Sequence, residues 1–206
     1  MNNPRANALG FGLVSELEEA VREISRDESV RAVVLGSVVS GVFCAGADLK
    51  ERGAMSRSEA ELFVARLRSL MSDVASIPAP TIAAAEGIAF GGGLELMLAC
   101  DIRVVGALAT VALTETSLGI IPGAGGTQRL PRLIGASKAK ELVFTARRLH
   151  AARALELGIV NTVVDAGQAE KEALSLAGEI ATRGPLAVRA AKVAIDEGLL
   201  MVRFHR

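Results

Sequence analysis

Histidine, cysteine and the larger aromatics are scarce in this chain, and each scarcity removes a class of function. His150 and His205 are its only histidines and Cys44 and Cys100 its only cysteines in 206 residues. No metal-ligand spacing can be assembled from so few donors. Nor is there a disulfide framework, which suits a reducing compartment. No Gly-x-Ser-x-Gly elbow occurs, so Ser-His-Asp chemistry is excluded as well. Long apolar runs are missing too: Gly87 and Gly91 form a Gly-x-x-x-Gly pair, but Glu86 and Glu95 interrupt the stretch, and no membrane span is expected. Net charge is absent, with Lys plus Arg and Asp plus Glu both at 23, so no global field recruits nucleic acid or an anionic membrane. The dinucleotide pattern Gly-x-Gly-x-x-Gly fails twice, because Leu96 and Gln128 stand where its last glycine belongs, and no Walker-type loop occurs. The N-terminus reads as neither a signal peptide nor an Arg-rich presequence.

What is present is apolar and glycine-rich: half of the residues are hydrophobic and 21 are Gly, with no Trp or Tyr. That composition fits a tightly packed α/β domain, and the length fits one domain over residues 1–206. The chain is organised around residues 81–101. A short apolar run at 82–85, bounded by Pro78 and Pro80, reads as a buried strand. Gly91, Gly92 and Gly93 read as a turn, and Leu94, Leu96, Met97 and Leu98 as a helix. Such a turn exposes bare backbone, and the helix start aims unsatisfied N–H groups at a ligand. Glu95 in the first helical turn puts a carboxylate beside a place suited to anions.

Around this centre, residues 1–7 are polar and turn-like. Leu13, Leu17, Ala20, Val21 and Ile24 share one helical face. Residues 31–36 predict a buried strand. Ser56 and Glu59 match a capping box that opens a helix to about residue 77. Strands are expected at 102–105, 110–113 and 159–164, and helices at 137–145, 151–157, 168–183 and 185–196. Residues 118–127 read as a second glycine-rich loop, and Arg147, Arg148 and His150 as a solvated turn. Strands preceding helices repeatedly give an α/β architecture.

Three features then line up: Ala45-Gly46-Ala47-Asp48, Gly91-Gly92-Gly93-x-Glu95, and Glu115 ahead of Pro122-Gly-Ala-Gly-Gly-Thr-Gln. Backbone donors and two carboxylates are the parts needed to manage an enolate. The segments Phe43–Arg52, Gly91–Leu96, Ala99–Val104 and Gly123–Pro131 closely resemble the enoyl-CoA hydratase/isomerase (crotonase) superfamily. The nearest resemblance is to its methylglutaconyl-CoA hydratase, AU-rich-RNA-binding and enoyl-CoA-hydratase-domain branch.

The resemblance implies a spiral of repeated β-β-α turns, assembled as homotrimers or hexamers. It implies an oxyanion hole from the N–H groups of Ala47 and Gly92, and a water held by Glu95 and Glu115. Ala45, Gly46, Ala47, Asp48, Leu49 and Lys50 are expected along the coenzyme A, Gly91, Gly92 and Gly123 among the substrate-binding residues, and Ile88, Phe90 and Leu118 shaping the acyl pocket. Having both glutamates favours hydration over isomerisation. Coenzyme A enters as part of the substrate, no other cofactor or metal is expected, and the mitochondrial matrix is the implied location. RNA binding is not expected, since Glu16, Glu18, Glu19 and Glu23 dilute the basic residues of the first helix. Residues 199–206 do not look like the family's continuation. The chain reads as cut short at both ends with its C-terminal helices incomplete, and poor solubility or weak trimerisation, with activity far below a full-length relative or lost altogether, is the expectation drawn from that.

Overall fold

The computed structural model describes residues 1–201, so His205 and the rest of 202–206 lie outside the described residues. Helix α1 (Phe11–Arg26) comes first. The chain then winds in turns that each lay down one strand in each of two sheets before a helical segment. The first turn is β1 (Val33–Leu35), β2 (Val42–Cys44), α2 (Leu49–Ala54) and α3 (Arg57–Ala75). The second is β3 (Thr81–Ala85), β4 (Ile88–Phe90) and α4 (Gly92–Ala99). The third is β5 (Ile102–Gly106), β6 (Thr110–Ala112), a 3₁₀ turn (Glu115–Leu118), α5 (Gly126–Ile134) and α6 (Ala136–Thr145). The chain continues through β7 (Leu149–His150), α7 (Ala151–Glu156), β8 (Thr162–Val164), α8 (Ala169–Ala181) and α9 (Pro185–Met201). One sheet has the order β1-β3-β5-β8 and the other β2-β4-β6-β7. All pairings are parallel except β6 with β7.

The burial pattern explains the sequence. All of β3 is buried because α8 covers one face of its sheet and the main core lies against the other, so its residues need not alternate. Ala83 and Ala85 face the main core, while Ile82 and Ala84 pack with Val104 against Ala169 and Ala173 of α8. Helix α4 is buried along its whole length, as expected for a helix apolar on every side. Leu94, Leu96, Met97 and Leu98 each contribute about 1.5–3 kcal/mol by leaving water. Helix α3 starts at the expected capping box, with Ser56 and Glu59 bonded reciprocally, and buries Phe63, Leu67, Leu70, Met71 and Val74.

Polar ties fix the later elements. Glu86, at the corner between β3 and β4, accepts from the N–H groups of Gly167 and Ala169 at the start of α8. Asp101 accepts from the Thr81 N–H and hydroxyl and from Lys192 Nζ at 2.7 Å, which docks α9.

Four expectations need correction. Strand β1 is half-buried rather than buried, because it is an edge strand paired only with β3. Gly126 and Thr127, read as the end of the second glycine-rich loop, instead open the helix α5, which runs on through residues given no element and sinks Leu130 and Ile134 into the core despite an internal Pro131. The strand expected at 159–164 is confined to Thr162–Val164, since Ile159 and Val160 turn back onto the Ala154 carbonyl. The expected solvated turn is in part a strand: β7 pairs with β6, Arg147 bonds Glu141, and Arg148 lies 4.9 Å from the centroid of the Phe90 ring.

Candidate active site

The N-terminal residues 1–10 build one wall. Asn7 is fully buried and donates from Nδ2 to the Phe43 carbonyl at 2.9 Å and to Ser37 Oγ at 2.7 Å. Backbone bonds then run from Ala45 N to Ala6 O, Leu9 N to Gly46 O and Asp48 N to Leu9 O. These bonds seat the segment 43–48 against the start of α4. The closeness needs glycine at 46: its φ is +94°, and a Cβ there would lie 2.7 Å from the Phe90 carbonyl oxygen and 3.4 Å from Gly92 N. A Cβ on Gly92 would lie 3.9 Å from Ala47 N. The two amides are therefore neighbours, and among the described residues neither N–H meets a backbone acceptor. Gly92 opens α4, so its N–H has no partner within the helix.

The carboxylates come from α4 and from the 3₁₀ turn. Glu95 is 3% exposed, and its Oε1 accepts from Ala124 N at 2.9 Å and Gly126 N at 2.7 Å. Burial raises its pKa, while those two N–H donors and the charges of Arg129 and Arg68 pull it back. Glu115, at the head of the 3₁₀ turn, is 9% exposed, and its buried Oε2 has no hydrogen-bond partner. Burial pushes Glu115 up to about 7, against a bond from its own N–H and with help from the negative Glu95. Both pKa values are thus raised, but the two differ in their partners: backbone donors favour the charged form of Glu95, while Glu115 keeps its proton to about neutral pH.

A cleft of about 950 Å³ joins these parts, and Ala47, Gly92, Glu95, Glu115 and Gly123 all line it. Of the other expected residues, Gly91 caps α4 with φ +51° just behind the Glu115 carboxylate. Ala45 and Gly46 lie beneath the Ala47 amide in the N-terminal seam. Asp48 is engaged elsewhere: its carboxylate caps α2 through the Lys50 and Glu51 N–H groups and pairs with Arg5 at 3.4 Å. Leu49 and Lys50 are exposed on α2. Ile88, Phe90 and Leu118 do not line the cleft, because β4 turns the first two away and Leu118 projects outward at 55% exposure. Val64, Leu67, Ile120 and Ile121 supply the apolar lining instead.

Two arginines brace the cleft, and of these Arg68 lies outside the segments that carry the resemblance. Arg68 Nε donates to the Gly123 carbonyl at 3.1 Å, and Arg129 donates to the carbonyls of Ala124 and Met71. Together they brace the loop whose N–H groups hold Glu95. Spacing along α3 places Arg68 one residue after the buried Leu67. Nothing local indicates that it reaches a loop 55 residues away.

The family description Enoyl-CoA hydratase/isomerase matches residues 1–203. Enoyl-CoA hydratase domain-containing protein 2, mitochondrial, of Mus musculus is 55% identical over 204 residues, which are 97% of this chain and 69% of that protein. Methylglutaconyl-CoA hydratase, mitochondrial, of Homo sapiens is 50% identical over 197 residues, 94% of this chain and 58% of its own length. The crystal structure of an enoyl-CoA hydratase from Bacillus anthracis superposes with a TM-score of 0.92 at 48% identity, covering 95% of this chain and 76% of that one. By sequence and by the winding of its two sheets, the chain belongs to the enoyl-CoA hydratase/isomerase family and has the crotonase fold.

Proposed function

We propose that this cleft adds water across the C2=C3 bond of a 2-enoyl-CoA thioester. One observation carries the reading: two buried glutamates share a cleft with two adjacent N–H groups that meet no backbone acceptor. The thioester oxygen accepts from Ala47 N–H and Gly92 N–H, each of which is worth about 3 kcal/mol as the oxygen becomes negative. Glu95, acting in its ionised form, which the Ala124 and Gly126 N–H groups favour, takes a proton from water as that oxygen bonds to C3. The electron pair of the double bond passes to the thioester oxygen and returns to C2, which takes the proton of Glu115. The product is a 3-hydroxyacyl thioester, and the resting state returns when solvent moves one proton from Glu95 to Glu115. The acid and base together supply about 10²- to 10⁴-fold. The steps as written move protons only, with coenzyme A as part of the substrate.

Hydration in H₂¹⁸O tests this. The product should gain one labelled water with the label at C3. A product of unchanged mass with a shifted double bond would support isomerisation and overturn the hydratase reading.

The raised Glu115 sets the pH dependence. With the protonated form as donor, kcat/KM should fall above about 7, by about tenfold per unit, and should also fall on the acid side as Glu95, whose pKa burial raises, takes up a proton. Glu115→Gln should remove the alkaline limb from the residual rate. The same group affects folding. Its folded pKa lies above the ordinary 4.5, so stability declines as pH rises from about 4.5 to about 7 and is level beyond.

The acyl group in this reading is short or branched, with 3-methylglutaconyl one candidate. Trimers or pairs of trimers and the mitochondrial matrix belong to the same proposal, and the location alone is supported by the relatives named above as mitochondrial. Exposed Leu186, Val193, Ile195 and Leu199 on α9 are the kind of apolar surface that assembly covers. Among the described residues, no helix is long and apolar enough to cross a membrane. RNA affinity should be weak, because Glu16, Glu19 and Glu23 crowd α1 while Glu18 pairs with Arg66. A filter-binding titration at physiological salt should give no sub-micromolar, AU-selective affinity, and finding one would reverse that expectation.

A further inference from the structure

We propose that Asn7 is a positioning residue for the oxyanion hole: its carboxamide sets the register in which the Ala47 N–H faces the cleft. This rests on the thioester-binding part of the hydratase reading and adds to it a residue outside the cleft lining.

The direction of the Ala47 N–H follows from its neighbours. Leu9 and Ala47 pair as in a parallel sheet, with Leu9 N–H donating to Gly46 O at 2.7 Å and Asp48 N–H donating to Leu9 O at 3.4 Å. The peptide joining residues 46 and 47 is trans and planar, so its C=O and N–H point opposite ways. With Gly46 O turned to Leu9, the Ala47 N–H points away from the N-terminal seam and is left for the cleft that Ala47 lines. A slip of the pairing by one residue would reverse this and spend the Ala47 N–H inside the seam. Leu9 also meets the second donor residue, because a Cβ on Gly92 would stand 3.0 Å from Leu9 Cδ1.

Asn7 decides which residues pair. Its Nδ2 donates to Phe43 O at 2.9 Å and Ser37 Oγ at 2.7 Å, and its Oδ1 accepts from Asn3 N–H at 2.7 Å. Three bonds from one fully buried carboxamide thus tie the turn at 3–7 to β2. The main chain repeats the same register: Cys44 Sγ donates to Asn7 O and Ala45 N–H to Ala6 O, each at 3.0 Å. Ala6 and Asn7 both have positive φ, +56° and +49°. Asn is one of the few residue types that takes this conformation readily.

Asn7→Gly removes the carboxamide and keeps the left-handed backbone accessible. It should lower kcat for crotonyl-CoA by about 100-fold, the size of misplacing one oxyanion donor, with KM nearly unchanged. The pH limbs set by Glu95 and Glu115 should not move, because both residues stand on other elements. Asn7→Asp keeps the shape and Oδ1 without the Nδ2 donor, and should act in the same direction. Val21→Ala, a buried change in α1 outside the cleft, shows what a looser fold alone does. Assayed well below its melting temperature, it should keep its kcat. The infrared carbonyl stretch of bound butyryl-CoA, labelled with ¹³C at C1, needs no turnover. Wild type should lower that frequency relative to the free thioester, and the Asn7 variants should lose most of the lowering at saturating ligand. An Asn7-dependent lowering in a chain that hydrates nothing would support the positioning role and sink the hydratase reading alone. A folded Asn7 variant with wild-type kcat and carbonyl frequency would overturn the role. So would shifted pH limbs, a rise in KM at constant kcat, or an equal loss of kcat in Val21→Ala.

Discussion

Glu115→Gln and Glu95→Gln should each lower kcat for enoyl-CoA hydration by about 10²-fold or more while leaving acyl-CoA affinity nearly unchanged. At Glu95 the replacement is nearly isosteric, and an amide oxygen can still accept from Ala124 and Gly126. What it loses is the basicity that takes a proton from water. At Glu115 the carboxyl oxygen Oε2 is buried without a partner. An unsatisfied buried oxygen costs about 1–3 kcal/mol, so Glu115→Gln should not destabilise the fold greatly. Steady-state kinetics with a parallel measurement of acyl-CoA affinity separates these effects. Near wild-type turnover in Glu95→Gln would favour a mechanism with a single glutamate.

The second large effect is on stability. Gly93 lies in the first turn of α4 against β2, and a Cβ there would sit 2.1 Å from the Cys44 carbonyl oxygen and 2.8 Å from its carbon. Both atoms are backbone, so no side chain can swing aside. Gly93→Ala must push α4 away from β2, which also moves Gly92 and Glu95. Overpacking of this kind costs about 3 kcal/mol or more, out of a total of roughly 5–15. The melting temperature should fall by about 6–12 °C. Gly178→Ala provides the contrast: it lies inside α8 with open space around it, and it should gain about 0.5–1 kcal/mol from helix propensity. Thermal melts of the two variants should therefore move in opposite directions. A Gly93→Ala protein as stable as wild type would mean that α4 and β2 are not in this close contact.

How much of this was legible in the sequence depends on how local each cause is. Ser56 and Glu59 are three residues apart, and the capping box they form was readable directly. The glycine turn before α4 and the buried strand at 82–85 carry their signals in consecutive residues. Helix α5 was not readable, because it begins at Gly126 and contains Pro131, both poor helix formers. Burial of Leu130 and Ile134 outweighs those preferences, and only the assembled core shows it. The strands β2 and β4 have three residues each, and β7 has two, too few for any periodicity.

The site divides in the same way. The glutamates and the Ala47 and Gly92 positions stood out through resemblance to a family, and the cleft gathers all four. Asp48 sat in the same matching segment, yet its carboxylate is taken up by capping α2 and by Arg5. A motif marks which residues belong together and does not say whether each serves the ligand or the scaffold. The role of Arg68 was invisible because its partner Gly123 lies 55 residues away, and Arg129, though inside a matching segment, gave no sign of its bond to Met71, 58 residues away. The seam made by Asn7 was hidden for the same reason, with Phe43 36 residues distant.

Hydration of crotonyl-CoA by the purified, folded chain, followed as loss of the conjugated enone absorbance, tests the central claim most directly. The expected result is saturable turnover that declines above about pH 7 and is lost in the Glu95→Gln, Glu115→Gln double variant. A folded chain that binds the thioester and leaves the absorbance unchanged, or a double variant as active as the wild type, would contradict it.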